Sequence, residues 1–145
     1  CGPIGVLAIV MVVLIKLAAV YVILQQHALF ILWAIPTLAR TAPLILLASC
    51  DYVRQQGIAT DMTQHLSKRM LWTVVALTAG GLCVFLAQVA LVFLLVFLGC
   101  ISYLRLKFIQ RLGGVTGDTI GASIEISESV TLLVAAIYLS VLMAH

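Results

Sequence analysis

MLWTVVALTAGGLCVFLAQVALVFLLVFLGCISYL, Met70 to Leu104, runs for 35 residues without an Asp, Glu, Lys or Arg. Its apolar residues are continuous rather than alternating, which argues for helix and against a transmembrane β-barrel. A helix crosses the hydrocarbon core of a bilayer in about 20 residues, so this run is too long for one crossing and suits two. A tight turn is expected near Ala87 and Gln88.

The rest of the chain is of the same kind. Its 145 residues are 64% hydrophobic and 9% charged, with a mean hydropathy of +1.25. Soluble domains run at roughly 45–50% apolar and about a quarter charged, so a water-soluble fold is excluded. Disorder is excluded too, because there is far too much apolar surface to leave in water. An integral membrane protein remains: an all-α, polytopic helical bundle of about five transmembrane helices, read as a single transmembrane domain over residues 1–145.

Upstream of the long run, a first apolar segment from Pro3 to Leu24 carries one charge, Lys16. Gln25, Gln26 and His27 form a polar break. A second segment, Ala28 to Cys50, holds Pro36, Arg40 and Pro43, and should be kinked or broken near its middle, with non-helical backbone beside Arg40. The longest polar stretch follows, Asp51 to Arg69. Downstream lie a basic loop, Arg105 to Arg111, the stretch Gly113-Gly114-Val115-Thr116-Gly117-Asp118, and a last helix from about Thr119 to Ala144.

Lys and Arg near span ends mark the cytoplasmic side. Arg54, Lys68 and Arg69 fall in one loop, and Arg105, Lys107 and Arg111 in another. A two-span hairpin over residues 70–104 puts both loops on one face, so the assignments agree. The glycine-rich stretch is then cytoplasmic, where nucleotides and phosphorylated metabolites are available.

Charges at membrane depth cost roughly 2.5–3.5 kcal/mol on insertion scales, so each needs a reason. At 100° per residue Glu125 lies within about 20° of Asp118 around the last helix, and Glu128 within about 80°. Three carboxylates on one face suit a hard cation such as Mg²⁺, which takes oxygen ligands and often bridges to phosphate. Equally, Glu125 and Glu128 could pair with a Lys or Arg of another helix. The glycine stretch adds weight to the first reading. Glycines let backbone approach a ligand, and a helix N-terminus presents free N–H groups to anions. It is not a P-loop, since the Lys-Ser/Thr pair is absent. Gly117 and Gly121 also fit a helix-packing pair, and the three basic residues before the stretch also fit topology markers.

Arg40 can pair with Glu125 or Glu128 or hold a substrate phosphate. Lys16 better neutralises a carboxylate than contacts substrate. Four cysteines (Cys1, Cys50, Cys83, Cys100) lie far apart, as buried, inert thiols do. His27, His65 and His145 lack convergent partners. The chain opens with Cys1, and its first run is too long and too unlike a signal peptide to be one, so an N-terminal part is expected to precede it.

The stretch from Arg111 to Ala122, continuing to Glu125 and Glu128, resembles the C-terminal signature of the cobalamin synthase family, the adenosylcobinamide-GDP ribazoletransferases. Gly2-Pro3-Ile4-Gly5-Val6 with Lys16, Ala42-Pro43 after Arg40, and Tyr52-Val53-Arg54-Gln55-Gln56-Gly57 are similar to that family in order. The resemblance implies an enzyme of the bacterial inner (cytoplasmic) membrane, multi-pass, with its site on the cytoplasmic side. Its partners would be adenosylcobinamide-GDP, α-ribazole or its 5′-phosphate, and the lipid bilayer; nucleic acid is not expected. The products would be adenosylcobalamin or its phosphate, with GMP released. It implies Mg²⁺ held by Asp118 and Glu125, catalysis by Asp118, Glu125 and Glu128 with Glu128 as base, and substrate held by Arg40, Arg54, Arg111, Gly113, Gly114, Thr116 and Gly117. It also implies an acidic, Asp-rich motif upstream of residue 1, so that residues 1–145 alone would be inactive. Two rivals stand beside it. One is a transporter or channel with an ion pathway through the intramembrane charges, though no repeat symmetry is found. The other is a membrane transferase acting on lipid-linked nucleotides.

Overall fold

The computed structural model describes residues 2–50, 52–53, 67–86 and 88–143. Among these residues six helices are described: α1 (Pro3–Gln25), α2 (Leu29–Ala39), α3 (Ala42–Ser49), α4 (Lys68–Leu86), α5 (Gln88–Leu112) and α6 (Gly117–Met143). Among the described residues there is no sheet, only one isolated parallel bridge between Tyr52 and Val115.

Among the described residues four rods are long and apolar enough to span a bilayer: Pro3–Gln25, Leu29–Ser49, Val89–Leu112 and Gly117–Leu142. The 19 residues of α4 make a fifth apolar rod. At 1.5 Å per residue it is about 28 Å long, close to the thickness of the hydrocarbon core. Residue 87, where the turn of the expected hairpin falls, lies outside the described residues; α4 runs to Leu86 and α5 from Gln88.

Two helix ends explain the path of the first rods. After α1, His27 adopts a left-handed φ of 53°. Ala28 N–H then bonds Ile23 C=O at 3.3 Å and His27 N–H bonds Leu24 C=O at 3.1 Å. This is the paired bonding of a Schellman turn, formed here without glycine. In the second rod Pro36 lies inside α2, and Pro43 in the first turn of α3. The expected break is there: α2 ends at Ala39, α3 begins at Ala42, and Arg40 and Thr41 form a turn between them. Arg40 and Thr41 keep right-handed dihedrals, and Arg40 N–H still reaches Pro36 C=O at 3.1 Å. Each proline removes one donor, and the helical turn closes around the gap.

The last helix is the hub. α6 packs against α1, α2, α3 and α5. Its buried face carries Ser123, Ser127, Thr131 and Ala135, small side chains spaced four apart that let neighbouring backbones approach. Their hydroxyls stay satisfied within the helix: Ser123 donates to Ile120 C=O at 2.6 Å and Thr131 to Ser127 C=O at 2.7 Å. From α5 the stripe Phe93, Phe97, Ile101 and Leu104 is buried in the core, and from α2 the stripe Ile31, Ile35 and Leu38. The outer helix α1 is different. It is apolar on all sides, with no amphipathic stripe, and only Ala19 and Ile23 in its second half are buried.

Candidate functional site

α5 ends in a turn that requires glycine. Gly113 has φ +74° and bonds back through its N–H to Ile109 C=O at 3.0 Å. A side chain there would be strained by the left-handed backbone. Gly114 and Val115 are buried next, and Val115 C=O accepts from Val53 N–H at 3.1 Å. That bond ties the segment after α3 to the glycine turn. The chain leaving α3 therefore lies at the same end of the bundle as the glycine turn.

Thr116 caps α6. Thr119 N–H donates to Thr116 Oγ1 at 3.4 Å, and Thr116 N–H donates to Thr119 Oγ1 at 2.8 Å. This is a reciprocal capping box with Thr in the place usually held by Glu or Gln. The Thr116 hydroxyl oxygen thus accepts from the helix end. Gly117 follows with Tyr52 Oη 3.8 Å from where its Cβ would stand, an ordinary contact. Asp118 lies exposed in the first turn, where the helix dipole favours an anion.

The basic loop of the sequence is the last turns of α5. Arg105 donates from Nη2 to Ser49 C=O at 3.1 Å, satisfying a carbonyl that α3 leaves open at its C-terminus. It serves the fold. Lys107 sits 5.7 Å over the Tyr103 ring. Arg111 is exposed in the final turn. Together Tyr103, Lys107, Phe108, Arg111, Leu112 and Thr119 line a recess of about 490 Å³. Two cations thereby stand beside the first turn of α6, a geometry suited to phosphate.

Deeper along α6 is an ionic cluster. Lys16 Nζ lies 2.6 Å from Glu125 Oε2 and 3.4 Å from Glu128 Oε1. The Lys16 and Glu128 side chains are 20% and 21% exposed, that of Glu125 61%. Lys16 thus neutralises carboxylates, as expected of it. Arg40 does not take that role. It is exposed at the α2–α3 kink, forms no ion pair among the described residues, and borders a separate hollow with Leu32, Trp33, Pro36 and Thr37. Arg54 lies outside the described residues.

Asp118 and Glu125 share a face but stand seven residues apart, about 10.5 Å along the axis. Among the described residues no three His, Cys, Asp or Glu side chains converge on one point. Mg²⁺ commonly takes only one or two carboxylates, filling its sphere with water and substrate phosphate. Asp118 is exposed, and Glu125 keeps one oxygen that Lys16 does not hold, so each can offer a single ligand to a hydrated, phosphate-bound ion.

The model of the cobalamin-5-phosphate synthase family matches residues 1–136. The chain belongs to that family. It is 43% identical over 142 residues to the adenosylcobinamide-GDP ribazoletransferase of Acinetobacter baumannii (strain ACICU), covering 96% of this chain and 57% of that protein. It is 35% identical over 137 residues to the protein of that name from Pseudomonas fluorescens (strain Pf0-1), covering 94% and 56% respectively. The like-named protein of Pseudomonas aeruginosa PAO1 is 35% identical over 136 residues, 94% of this chain and 55% of its own length. The chain therefore spans somewhat over half the length of these curated relatives. No solved structure matches. Each of these relatives is a transferase by name, and the transporter or channel reading gains no support.

Two participants escaped sequence reading. Thr119 was available from the Thr-x-x-Thr spacing. Tyr52, quoted only within a stretch similar to the family, gave no sign that it meets the glycine loop from another segment.

Proposed function

We propose that this protein works as an adenosylcobinamide-GDP ribazoletransferase in the bacterial inner membrane, with its site on the cytoplasmic side. Adenosylcobinamide-GDP and α-ribazole, or its 5′-phosphate, would give adenosylcobalamin, or its phosphate, and GMP. The observation that carries the reading is the recess holding Lys107 and Arg111 against the capped N-terminus of α6, whose first turn also carries Asp118. A nucleoside diphosphate brings negative charge to that place, and two cations and a helix N-terminus receive it.

The transfer forms a bond from a ribose hydroxyl to the cobinamide-linked phosphorus and breaks the bond to GMP. The hydroxyl proton must leave, and negative charge develops on the phosphate oxygens. Mg²⁺, held by Asp118 and Glu125, would supply charge neutralisation at the phosphates. Lys107 and Arg111 hold the diphosphate from the α5 side. Glu128, one turn deeper than Glu125, takes the proton of the hydroxyl. The bound substrates lie along the Asp118 face of α6, the acceptor hydroxyl and the phosphorus it attacks together between the Asp118 end and Glu128, and the GMP side of the diphosphate at the loop end.

The test is formation of cobamide and GMP by the protein carrying this chain, with adenosylcobinamide-GDP, α-ribazole and Mg²⁺. Lys107→Ala and Arg111→Ala should each raise KM for adenosylcobinamide-GDP about tenfold, the loss expected for a charge-assisted phosphate contact. No cobamide from correctly inserted protein would refute the reading. Unchanged KM in both variants would remove the recess from it.

A further inference from the structure

The apolar faces of α1 do not explain where it sits. A helix hydrophobic on all sides has no preferred face toward α6 and no preferred depth. Lys16 supplies both. Its ammonium lies between two carboxylates one turn apart on α6, so that Glu125 Oε2 and Glu128 Oε1 are drawn to the α1 side. Glu125 keeps most of its side chain open, at 61% exposure. Toward the N-terminus of α6 the same face carries Gly121, with nothing within 4 Å of where its Cβ would be. Asp118 stands a turn beyond, also exposed. The open side of Glu125 therefore continues into the open face that leads to Asp118. A charged group at membrane depth faces protein or a hydrated cavity, not lipid.

From this we propose that Lys16 is a positioning residue of the transfer site. By holding one oxygen of Glu125, it fixes that carboxylate with the other oxygen turned to the open face of α6. The inference rests on the functional reading above and adds to it a helix-to-helix contact that sets the geometry of the site. Freed from Lys16, Glu125 loses that orientation. Misplacement of a reacting group by about 1 Å costs on the order of a hundredfold in rate.

The experiment compares kcat, KM, the Kd for adenosylcobinamide-GDP and the amount of protein in the membrane for four proteins. Lys16→Met should lower kcat about a hundredfold while KM and Kd stay within about twofold, the pattern of a group needed for the step and not for binding. Lys16→Arg should restore most of kcat. Glu128→Gln and Lys16→Met/Glu128→Gln form the second comparison. The double variant carries Glu125 alone, charge −1, and the intact cluster of one Lys and two Glu also sums to −1. Insertion is therefore not penalised, and kcat should fall about tenfold below that of Glu128→Gln. This pair decides the matter if Lys16→Met fails to accumulate. Equal kcat within it, or unchanged kcat in Lys16→Met, overturns the positioning role and leaves the reaction standing. Absence of transfer by the unsubstituted protein overturns the reaction and the positioning role with it.

Discussion

Asp118→Asn isolates charge from shape at the loop end of the site. The substitution is isosteric, and Asp118 is exposed, so no packing changes. The helix end does not depend on it, because Thr116 and Thr119 cap each other. The stability cost is thus limited to the attraction between a carboxylate and the N-terminal end of α6, about 0.3–1 kcal/mol. A loss of that size leaves the amount of inserted protein nearly unchanged against a total of roughly 5–15 kcal/mol. The catalytic cost is of another order. Removing one group that stabilises charge in a transition state typically lowers kcat by 10²–10³, about 2.7–4 kcal/mol. The two magnitudes do not overlap, and this makes the variant decisive.

The assay is cobamide formation at saturating Mg²⁺, normalised to protein in the membrane by immunoblot. Turnover should fall by about two to three orders of magnitude at constant protein. Asp118→Glu, which keeps the charge, should recover part of it. Near-normal turnover of Asp118→Asn would remove this carboxylate from the site. Loss of protein with unchanged specific activity would make it a structural residue, against the small stability cost reasoned here. Glu125→Gln differs in kind. It takes the cluster from −1 to neutral and leaves Lys16 with Glu128 at 3.4 Å, so insertion is unharmed while turnover falls similarly.

Other consequences are smaller but independent. Thr116→Val removes the hydroxyl that accepts from Thr119 N–H and should cost about 0.5–2 kcal/mol, read as a lower thermal midpoint in detergent; an unchanged midpoint would mean the cap is redundant. Ser127→Leu forces a large side chain into a fully buried position on α6 and should cost about 1–3 kcal/mol, seen as reduced accumulation; full accumulation would contradict tight packing there. Single cysteines at Val53 and Gln110, in a background without the native cysteines, should react with an impermeant thiol reagent from the same side of the membrane. Labelling from opposite sides would break the shared face implied by the Val53–Val115 bond.

The rods were readable because a bilayer imposes length and apolarity on any helix that crosses it, and the chain has little else. Pro36 and Pro43 announced the kink, since a missing donor is visible in sequence. They did not announce that Arg40 and Thr41 would keep right-handed dihedrals in the turn between the helices, because a proline removes a bond without deciding how far its neighbours unwind. The α1–α2 turn was readable as a polar break but not as a Schellman turn, for His27 takes the position where glycine is usual.

The candidate site was readable in part for a related reason. Gly113 through Asp118 is contiguous, so its turn, cap and first helical residues are local events that sequence spacing encodes. The Lys16 contact is not local: 109 residues separate it from Glu125. Charge balance at membrane depth required a partner for those carboxylates, and both Lys16 and Arg40 satisfied that requirement on paper. The choice between them was made by the hub helix. The small buried face of α6 draws in α2 and α3 with Arg40 turned outward at the kink, and α1 is left to close the remaining side. An all-round apolar helix accepts that place at any rotation and depth, so one lysine placed to meet two carboxylates fixes both at once.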